Sequence, residues 1–264
     1  MRASAASLLL DFGPTVAPAG DTTNSPGHTS GGVLGTDTTW NTVGASDIAS
    51  GLVYGDGTAA TGVSLNLGRE STIGNRVLDF TIANNLATTL TGTTGPSLGT
   101  DYGTASNFPP ARDGLFVSGT NGTNNAALGV RVDGLSAGTY TLYFVGRNTN
   151  TNANPFPEAF YIAAGASSGT FDFSALSEID LSNANTTGNN SFILGNQYNT
   201  ATVTLTAGQS IFLAVAGPTG GTEQRGFLNS LEIVQSVPEP SVFSLAAGGF
   251  LLALVRRRRP ASGR

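Results

Sequence analysis

The sequence predicts an all-β domain folded as a β-sandwich, on three observations. With 36 Gly, 12 Pro and only 11% charged residues in 264, and with Thr and Asn abundant, the chain is rich in residues that weaken helices and favour turns and strands. Short runs alternate apolar and polar side chains with a period of two, the pattern of half-buried strands, and Gly/Asn/Pro clusters separate them. No heptad and no sustained 3.6-residue pattern appears before the last thirty residues. At 39% hydrophobic the chain has enough apolar content for a core, and residues 8–235 fit one large domain.

Taken in order, Leu8-Leu9-Leu10 followed by Asp11-Phe12 reads as a first strand, being too short for the apolar core of an export signal. Further strands are expected at 48–54, 63–67, 114–117, 159–163, 191–194 and 226–234, the last with Phe227, Leu231 and Ile233 as apolar positions. Two segments carry the clearest signal. Residues 127–132 precede the turn Asp133-Gly134-Leu135-Ser136-Ala137-Gly138 and the run Thr139-Tyr140-Thr141-Leu142-Tyr143-Phe144-Val145. Residues 201–205 precede Thr206-Ala207-Gly208 and the run 209–215. Both read as hairpins in which glycine supplies the positive φ of the turn, with Tyr140, Leu142 and Phe144 on one face, as Ile211, Leu213 and Val215 are. Residues 77–86 fit a strand or a short helix, and 173–181 a single helical turn. The stretches 92–106 and 149–157 read as surface loops. Many short strands without intervening helices specify a sandwich, and a closing strand beside the first makes its topology jelly-roll-like.

Charge and cysteine count narrow the functional classes. Up to Gln235 there are 7 Arg against 16 Asp plus Glu, a formal charge of −9, and the chain has no Lys. An acidic surface cannot neutralise phosphates, so nucleic acid is not an expected partner. With no Cys the domain is held by packing alone, without thiol chemistry or Cys-ligated metal.

The C-terminal segment is of a different kind. Pro238-Glu239-Pro240 leads into a fourteen-residue run whose apolar members include Val242, Phe243, Leu245, Phe250, Leu251, Leu252, Leu254 and Val255. The run ends on Arg256, Arg257, Arg258 and Arg259. As a helix it would span only about 21 Å of a hydrocarbon core of roughly 30 Å, and Gly248-Gly249 sits at its centre. That makes a poor permanent anchor and a serviceable transient one. Arginines are expected to stay cytoplasmic, which places everything before Val242 outside the cell. These ordered elements resemble the PEP-CTERM sorting signal. The resemblance implies that Pro238, Glu239 and Pro240 are the recognition motif, that Arg256–Arg259 stop transfer, and that the partner is the membrane protease exosortase. It further implies a role at the cell surface, in biofilm or in exopolysaccharide. Export requires a signal that Met1–Ser7 does not supply, so one is expected upstream, with Ala3-Ser4-Ala5 as a cleavage-like remnant. The domain division is therefore 1–7 signal remnant or disordered N-terminus, 8–235 β-sandwich ectodomain, and 236–264 sorting signal with its single transmembrane helix.

Residues 137–142, Ala-Gly-Thr-Tyr-Thr-Leu, and the strand pattern around them resemble galactose-binding-like jelly rolls. That resemblance implies a fold and not a ligand. Candidate ligand residues are Trp40, the only tryptophan, as a stacking platform or a core residue. Arg112, Asp113, Arg147, Glu158 and Arg225 join it near strand ends, where loops carry ligand groups, unless each arginine pairs with a neighbouring carboxylate. His28, the only histidine, would have to serve any Ser-His-Asp hydrolase, but no Gly-x-Ser-x-Gly elbow identifies a serine. Asp11, Asp56, Glu70, Asp113, Glu158 and Glu223 offer carboxylates for a glycosidase without a context that pairs two of them. Asp56-Gly57 and residues 121–125 supply oxygens for Ca²⁺, without EF-hand or RTX spacing. No cofactor beyond that Ca²⁺ is expected. The sequence thus points to a non-enzymatic exported surface or matrix protein that associates with extracellular polysaccharide. A secreted esterase or glycosidase on the same scaffold, and a purely structural coat protein, are the alternatives.

Overall fold

The computed structural model describes residues 6–13, 25–29, 34–82, 86–90, 113–117, 126–147, 157–183, 192–220 and 225–236. The predicted sorting motif, membrane run and arginine cluster lie outside these residues, as do the loops at 92–106 and 149–156. Among the described residues no helix is long and apolar enough to cross a membrane.

Two large sheets face each other. The five-stranded sheet contains β1 (Ser7–Phe12), β2 (Asn41–Val43), β8 (Gly138–Val145), β12 (Asn199–Leu205) and β15 (Ser230–Gln235), in the order β12-β8-β15-β1-β2. The seven-stranded sheet contains β3 (Ser64–Glu70), β4 (Val77–Asp79), β7 (Leu128–Asp133), β9 (Glu158–Ala166), β10 (Thr170–Asp172), β11 (Ile179–Leu181) and β13 (Gln209–Ala216). Its order is β10-β4-β3-β7-β13-β9-β11. A small third sheet, β14-β6-β5, joins β5 (Leu86–Leu90), β6 (Asp113–Val117) and β14 (Phe227–Leu228). Among the described residues the single helical turn, α1, is Pro26–Thr29. The closing strand β15 pairs antiparallel with the first, as the sequence leads one to expect.

Period-two alternation builds the core. Leu8, Leu10 and Phe12 of β1, Leu142 and Phe144 of β8, and Leu231 and Ile233 of β15 face inward. They meet Leu65, Leu67, Val130, Val132, Phe160, Ile211, Leu213 and Val215 from the other sheet. Phe144 and Phe160, both fully buried, pack across the interface with tilted rings whose centroids are 4.4 Å apart; each is worth about 2–3 kcal/mol of burial. Both sheets also carry an apolar cluster on their outer faces. Leu78, Phe80, Tyr161, Phe173, Phe212 and Ala214 form one on the seven-stranded sheet, and Leu9, Tyr143, Val145, Tyr198 and Val234 form one on the five-stranded sheet. The sandwich is thus covered on both sides, so its strands run nearly continuously buried: β1 is buried at every position and β13 at all but its first.

The two expected hairpins are not hairpins. β7 belongs to the seven-stranded sheet and β8 to the five-stranded one, and the same holds for β13 and β12. Each turn is an arch that carries the chain from one sheet to the other. Leu135 and Leu205 sit in the core beneath these arches, which fills the mouth of the sandwich and holds the strands too far apart to pair. β8 then pairs with β12, and β7 with β13, so the two arches stack side by side.

Other expected strands fail for local reasons. Residues 48–54 make only isolated bridges, Ile48 to Leu65 and Val53 to Ala59. The Asn41 side chain takes the place of a ladder here, donating to the carbonyls of Leu9 (3.0 Å) and Val53 (2.8 Å) and accepting the Val53 N–H (2.8 Å). Of the described residues 192–194 only Leu194 forms a bridge, to Tyr198 across a turn, and Ser191 lies outside the described residues. The strand expected at 226–234 is broken at Asn229, where the chain leaves β6 and joins β8 and β1. Residues 77–79 are strand, and 173–176 form a turn rather than a helix, closed by the Leu176 N–H on the Phe173 carbonyl.

Candidate functional site

A cavity of about 180 Å³ opens over the outer face of the seven-stranded sheet, lined by Glu70, Gly74, Arg76, Phe173, Ala216, Gly217, Pro218, Thr219 and Gly220. Its floor is the ends of β3 and β13, and its walls are the turn before β4 and the loop after β13. Glu70 builds the turn. One carboxylate oxygen accepts the Arg76 N–H at 2.6 Å, and the other accepts the Ala127 N–H at 2.9 Å and the Gly74 N–H at 3.3 Å. These bonds satisfy backbone donors that the turn would otherwise bury unpaired. They also hold Arg76 at φ 58°, a left-handed conformation uncommon outside Gly, Asn and Asp.

That backbone aims the guanidinium across the cavity. Its carbon lies 4.6 Å from the Tyr161 ring centroid and 5.2 Å from that of Phe173. Nη1 donates to Thr219 Oγ1 at 2.8 Å, and Nη2 lies 3.7 Å from Glu178 Oε1. Nε is buried and meets no hydrogen-bond acceptor among the described residues. The same Glu178 oxygen accepts the Tyr161 hydroxyl (2.8 Å), the Thr219 N–H (3.1 Å) and the Thr219 hydroxyl. Burial raises the Glu178 pKa, yet the bonds from Thr219 and Tyr161 and the Arg76 charge outweigh it and leave the carboxyl below its ordinary value. Burial first, and then the bond to Glu178, push Tyr161 up to about 12. The result is a fixed polar wall in which one guanidinium stands with two carboxylates. At about 180 Å³ it accepts something smaller than the drug-sized ligands of roughly 300–1,000 Å³ pockets.

No reacting pair stands in this cavity. Both Glu70 oxygens are bonded to backbone N–H groups, and the Thr219 hydroxyl is committed to Glu178. A second polar cluster contains the only histidine. Ser25 Oγ lies 2.6 Å from His28 Nδ1, and the Ser25 hydroxyl also bonds the Glu232 carboxyl. His28 Nε2 is 2.7 Å from the Asp37 backbone carbonyl. A serine, a histidine and an acid therefore do converge, but the serine stands between the other two. The acid does not orient the imidazole, and Ser25 and Glu232 are both fully buried. A nucleophilic triad needs the histidine in the middle and the serine open to substrate.

The residues singled out in the sequence are scattered. Trp40 is half-buried against the outer cluster of the five-stranded sheet, away from the cavity. Arg147 is 3% exposed and Glu158 is fully buried, so neither presents its charge at the surface. The Arg147 N–H donates to Asn229 Oδ1 at 2.5 Å, and Glu158 begins β9 opposite Leu181. Arg225 is partly buried with its guanidinium carbon 5.7 Å from the Phe227 ring centroid. Asp113 begins β6; its side chain, Arg112 and Glu223 lie outside the described residues. Ion pairs do join neighbours in two other places, Arg131 to Asp133 at 3.0 Å and Arg76 to Glu178. Asp56 Oδ1 accepts the Thr58 N–H and hydroxyl, an ordinary Asx turn, and residues 121–125 lie outside the described residues. No group of three or more metal-ligating side chains occurs among the described residues.

The cavity residues Arg76, Phe173 and Thr219, and Glu178 that braces them, escaped sequence reading. They come from three separate segments, and only Glu70 was marked, as one carboxylate among several. The Gly217-Pro218-Thr219-Gly220 loop directly after a buried strand was the one local signal available.

No protein-family model matches the chain, and no curated protein matches it. Among solved structures, a Bacillus subtilis protein, YXIM, aligns over 89% of this chain and 41% of its own, at 14% identity and a TM-score of 0.39. The plant receptor-like kinase FER, in complex with the peptide RALF23 and LLG2, aligns over 69% of this chain and 52% of its own, at 17% identity and a TM-score of 0.40. A family 35 carbohydrate-binding module from Clostridium thermocellum aligns over 47% of this chain and 88% of its own, at 15% and 0.23. The chain spans about half or less of the length of the first two. At these identities and TM-scores the likenesses transfer neither a ligand nor an activity.

Proposed function

We propose that this chain is the jelly-roll-like ectodomain of an exported surface or matrix protein that holds a sugar residue of an extracellular polysaccharide without reacting with it. The observation that carries the reading is the Arg76 cavity. Its charged groups are each fixed by other protein groups, so the site is pre-organised to hydrogen-bond a neutral, hydroxyl-rich ligand rather than to move protons. The backbone of the Gly217–Gly220 loop supplies the donors and acceptors available to it. The cavity admits one sugar ring or less, so recognition of a polymer falls on a single residue at a time. Affinity then comes from many weak contacts along the glycan.

Delivery follows from the C-terminal segment. In this reading exosortase recognises Pro238-Glu239-Pro240, the short apolar run anchors the chain briefly, and the four arginines hold its end in the cytoplasm. The cell-surface protein is then released or transferred.

NMR titration of the ¹⁵N-labelled protein with neutral mono- and oligosaccharides tests the binding. Shifts are expected at Gly217, Thr219 and Gly220, and their loss in Arg76→Ala. Sugars at millimolar concentration that move no cavity resonance would refute the reading. Mass spectrometry of the native protein tests delivery separately: a C-terminus near residues 238–240 is expected, and an intact C-terminus recovered solely in membranes refutes sorting.

A further inference from the structure

Glu232 lies at the middle of β15, between Leu9 of β1 and Tyr143 of β8, on the outer face of the five-stranded sheet. It is fully buried. Its Oε2 accepts the Gly27 N–H at 2.9 Å, while Oε1 is buried with no hydrogen-bond partner among the described residues. What covers it is the turn Pro26–Thr29, capped by Ser25, whose carbonyl accepts the N–H groups of His28 and Thr29. The polar and titratable groups on its face of the sheet are Ser7 and Asp11 on β1 and Tyr143 on β8, with Ser25 and His28 on the covering turn. Asp37 stands behind Ser7 and accepts its hydroxyl at 2.5 Å. None of these is a fixed cation. An ionised Glu232 would therefore lie in a dry site with no fixed cation among these groups, a protonated His28 being its one possible counter-charge.

Hydrogen bonds link the cluster. With the imidazole neutral, Nε2–H donates to the Asp37 carbonyl, which leaves Nδ1 to accept from Ser25. The one Ser25 proton is then contested by Nδ1 and the Glu232 carboxyl. An ionised Glu232 keeps the Gly27 N–H as a full donor at Oε2 and none at Oε1, so removing its proton leaves an under-solvated buried charge.

We propose that the Glu232–Ser25–His28 line is a pH-operated latch that docks the Ser25–Thr29 turn on the sheet while the carboxyl holds its proton and frees the turn when alkali removes it. Burial, opposed only by the bonds from Gly27 and Ser25, raises the Glu232 pKa from 4.5 to about 8. An undocked turn returns the group to its ordinary value. Between those two values the docked state keeps a proton that the undocked state has lost, so docking weakens as pH rises across that window and is fully favoured below it. The latch is independent of the sugar-binding reading, since it lies on the opposite sheet.

The experiment is hydrogen exchange at the Gly27, His28 and Thr29 amides at pH 6 and pH 9, corrected for the intrinsic rate. In the wild type, protection is expected to fall at least tenfold at pH 9, with protection in β13 unchanged. Glu232→Gln cannot ionise and should lose less than twofold. Equal protection at both pH values in the wild type, or an equal loss in Glu232→Gln, overturns the latch. Should the glutamine variant fold poorly, ¹³C titration of the wild-type Glu232 carboxyl decides: a midpoint above 7 supports the latch and one near 4.5 overturns it.

Discussion

Replacing Arg76 in three ways separates its backbone from its side chain. Truncation to Ala removes two cation–π contacts of about 0.5–1 kcal/mol each. It also removes the bond to Thr219, worth about 1 kcal/mol, and an ion pair whose partners are 24% and 28% exposed, worth under about 1 kcal/mol after screening. Arg76→Ala should thus lose about 2–3 kcal/mol. Alanine still has to adopt the left-handed φ of 58°, at a cost of about 1–2 kcal/mol that glycine avoids. Glycine gives back about 0.4–1 kcal/mol through a freer unfolded chain. Arg76→Gly should therefore be about 0.5–1 kcal/mol more stable than Arg76→Ala, although it removes more of the side chain. Arg76→Lys keeps the charge, loses the planar stacking and falls between the wild type and Ala. Urea melts followed by Trp40 emission report the differences, because Trp40 sits on the opposite sheet and senses global unfolding. In a domain this size, Arg76→Ala should lower Tm by about 4–10 °C. A glycine variant less stable than the alanine variant would refute the strained-backbone reasoning. An alanine variant within 0.5 kcal/mol of the wild type would refute the assigned contacts.

Further tests follow from the packing and the titrations. Gly129→Ala would drive a methyl group into Leu78 and the Leu213 carbonyl, and should cost about 2–4 kcal/mol in urea melts, since backbone cannot yield as a side-chain end can. Burial raises the Asp133 pKa, but the bonds from Ser210 and Arg131 more than reverse this and leave it depressed. Its contribution is present above the ordinary carboxylate value and lost as pH falls through the folded one, so the Tm gap between wild type and Asp133→Asn should narrow from pH 6 to pH 2.5. Ultraviolet titration of Tyr161→Phe against wild type should show the missing phenol ionising last, near pH 12. Removing the Glu70 carboxylate with Glu70→Ala orphans the N–H groups of Arg76 and Ala127, and should both destabilise the domain and erase sugar-induced shifts at Thr219.

The strands of the sandwich were legible as short apolar or alternating runs bounded by glycine-bearing turns: β1, β7, β8, β12 and β13 all start and stop within two residues of their expected bounds. Which sheet each strand joins was not legible. An arch and a hairpin present the same alternation and the same glycine turn, and only the buried leucine beneath the turn distinguishes them. Asn41 shows a second limit, since a side chain can satisfy a neighbouring segment and remove its need for a ladder. The Arg76 cavity was invisible for a further reason. Its members are joined by crossovers of the chain, and the left-handed backbone that aims the guanidinium depends on Glu70 bonding to two N–H groups of its own turn and to the distant Ala127 N–H. His28 was marked as the one possible base, but Ser25 and Glu232, which set its surroundings, fall 3 and 204 residues away.

The position of β15 also has a mechanical side. It is the last described strand, and it lies inside its sheet, with ladder partners on β1 from Ser7 to Asp11 and on β8 from Tyr140 to Val145. Any tension passed along the residues after Gln235 enters the domain through this strand. A pull along its axis loads both ladders in shear, so many backbone bonds must rupture together rather than peel one by one. A domain held by its C-terminal side while its far surface grips a polymer would thus resist extraction at the point where the tether meets the fold.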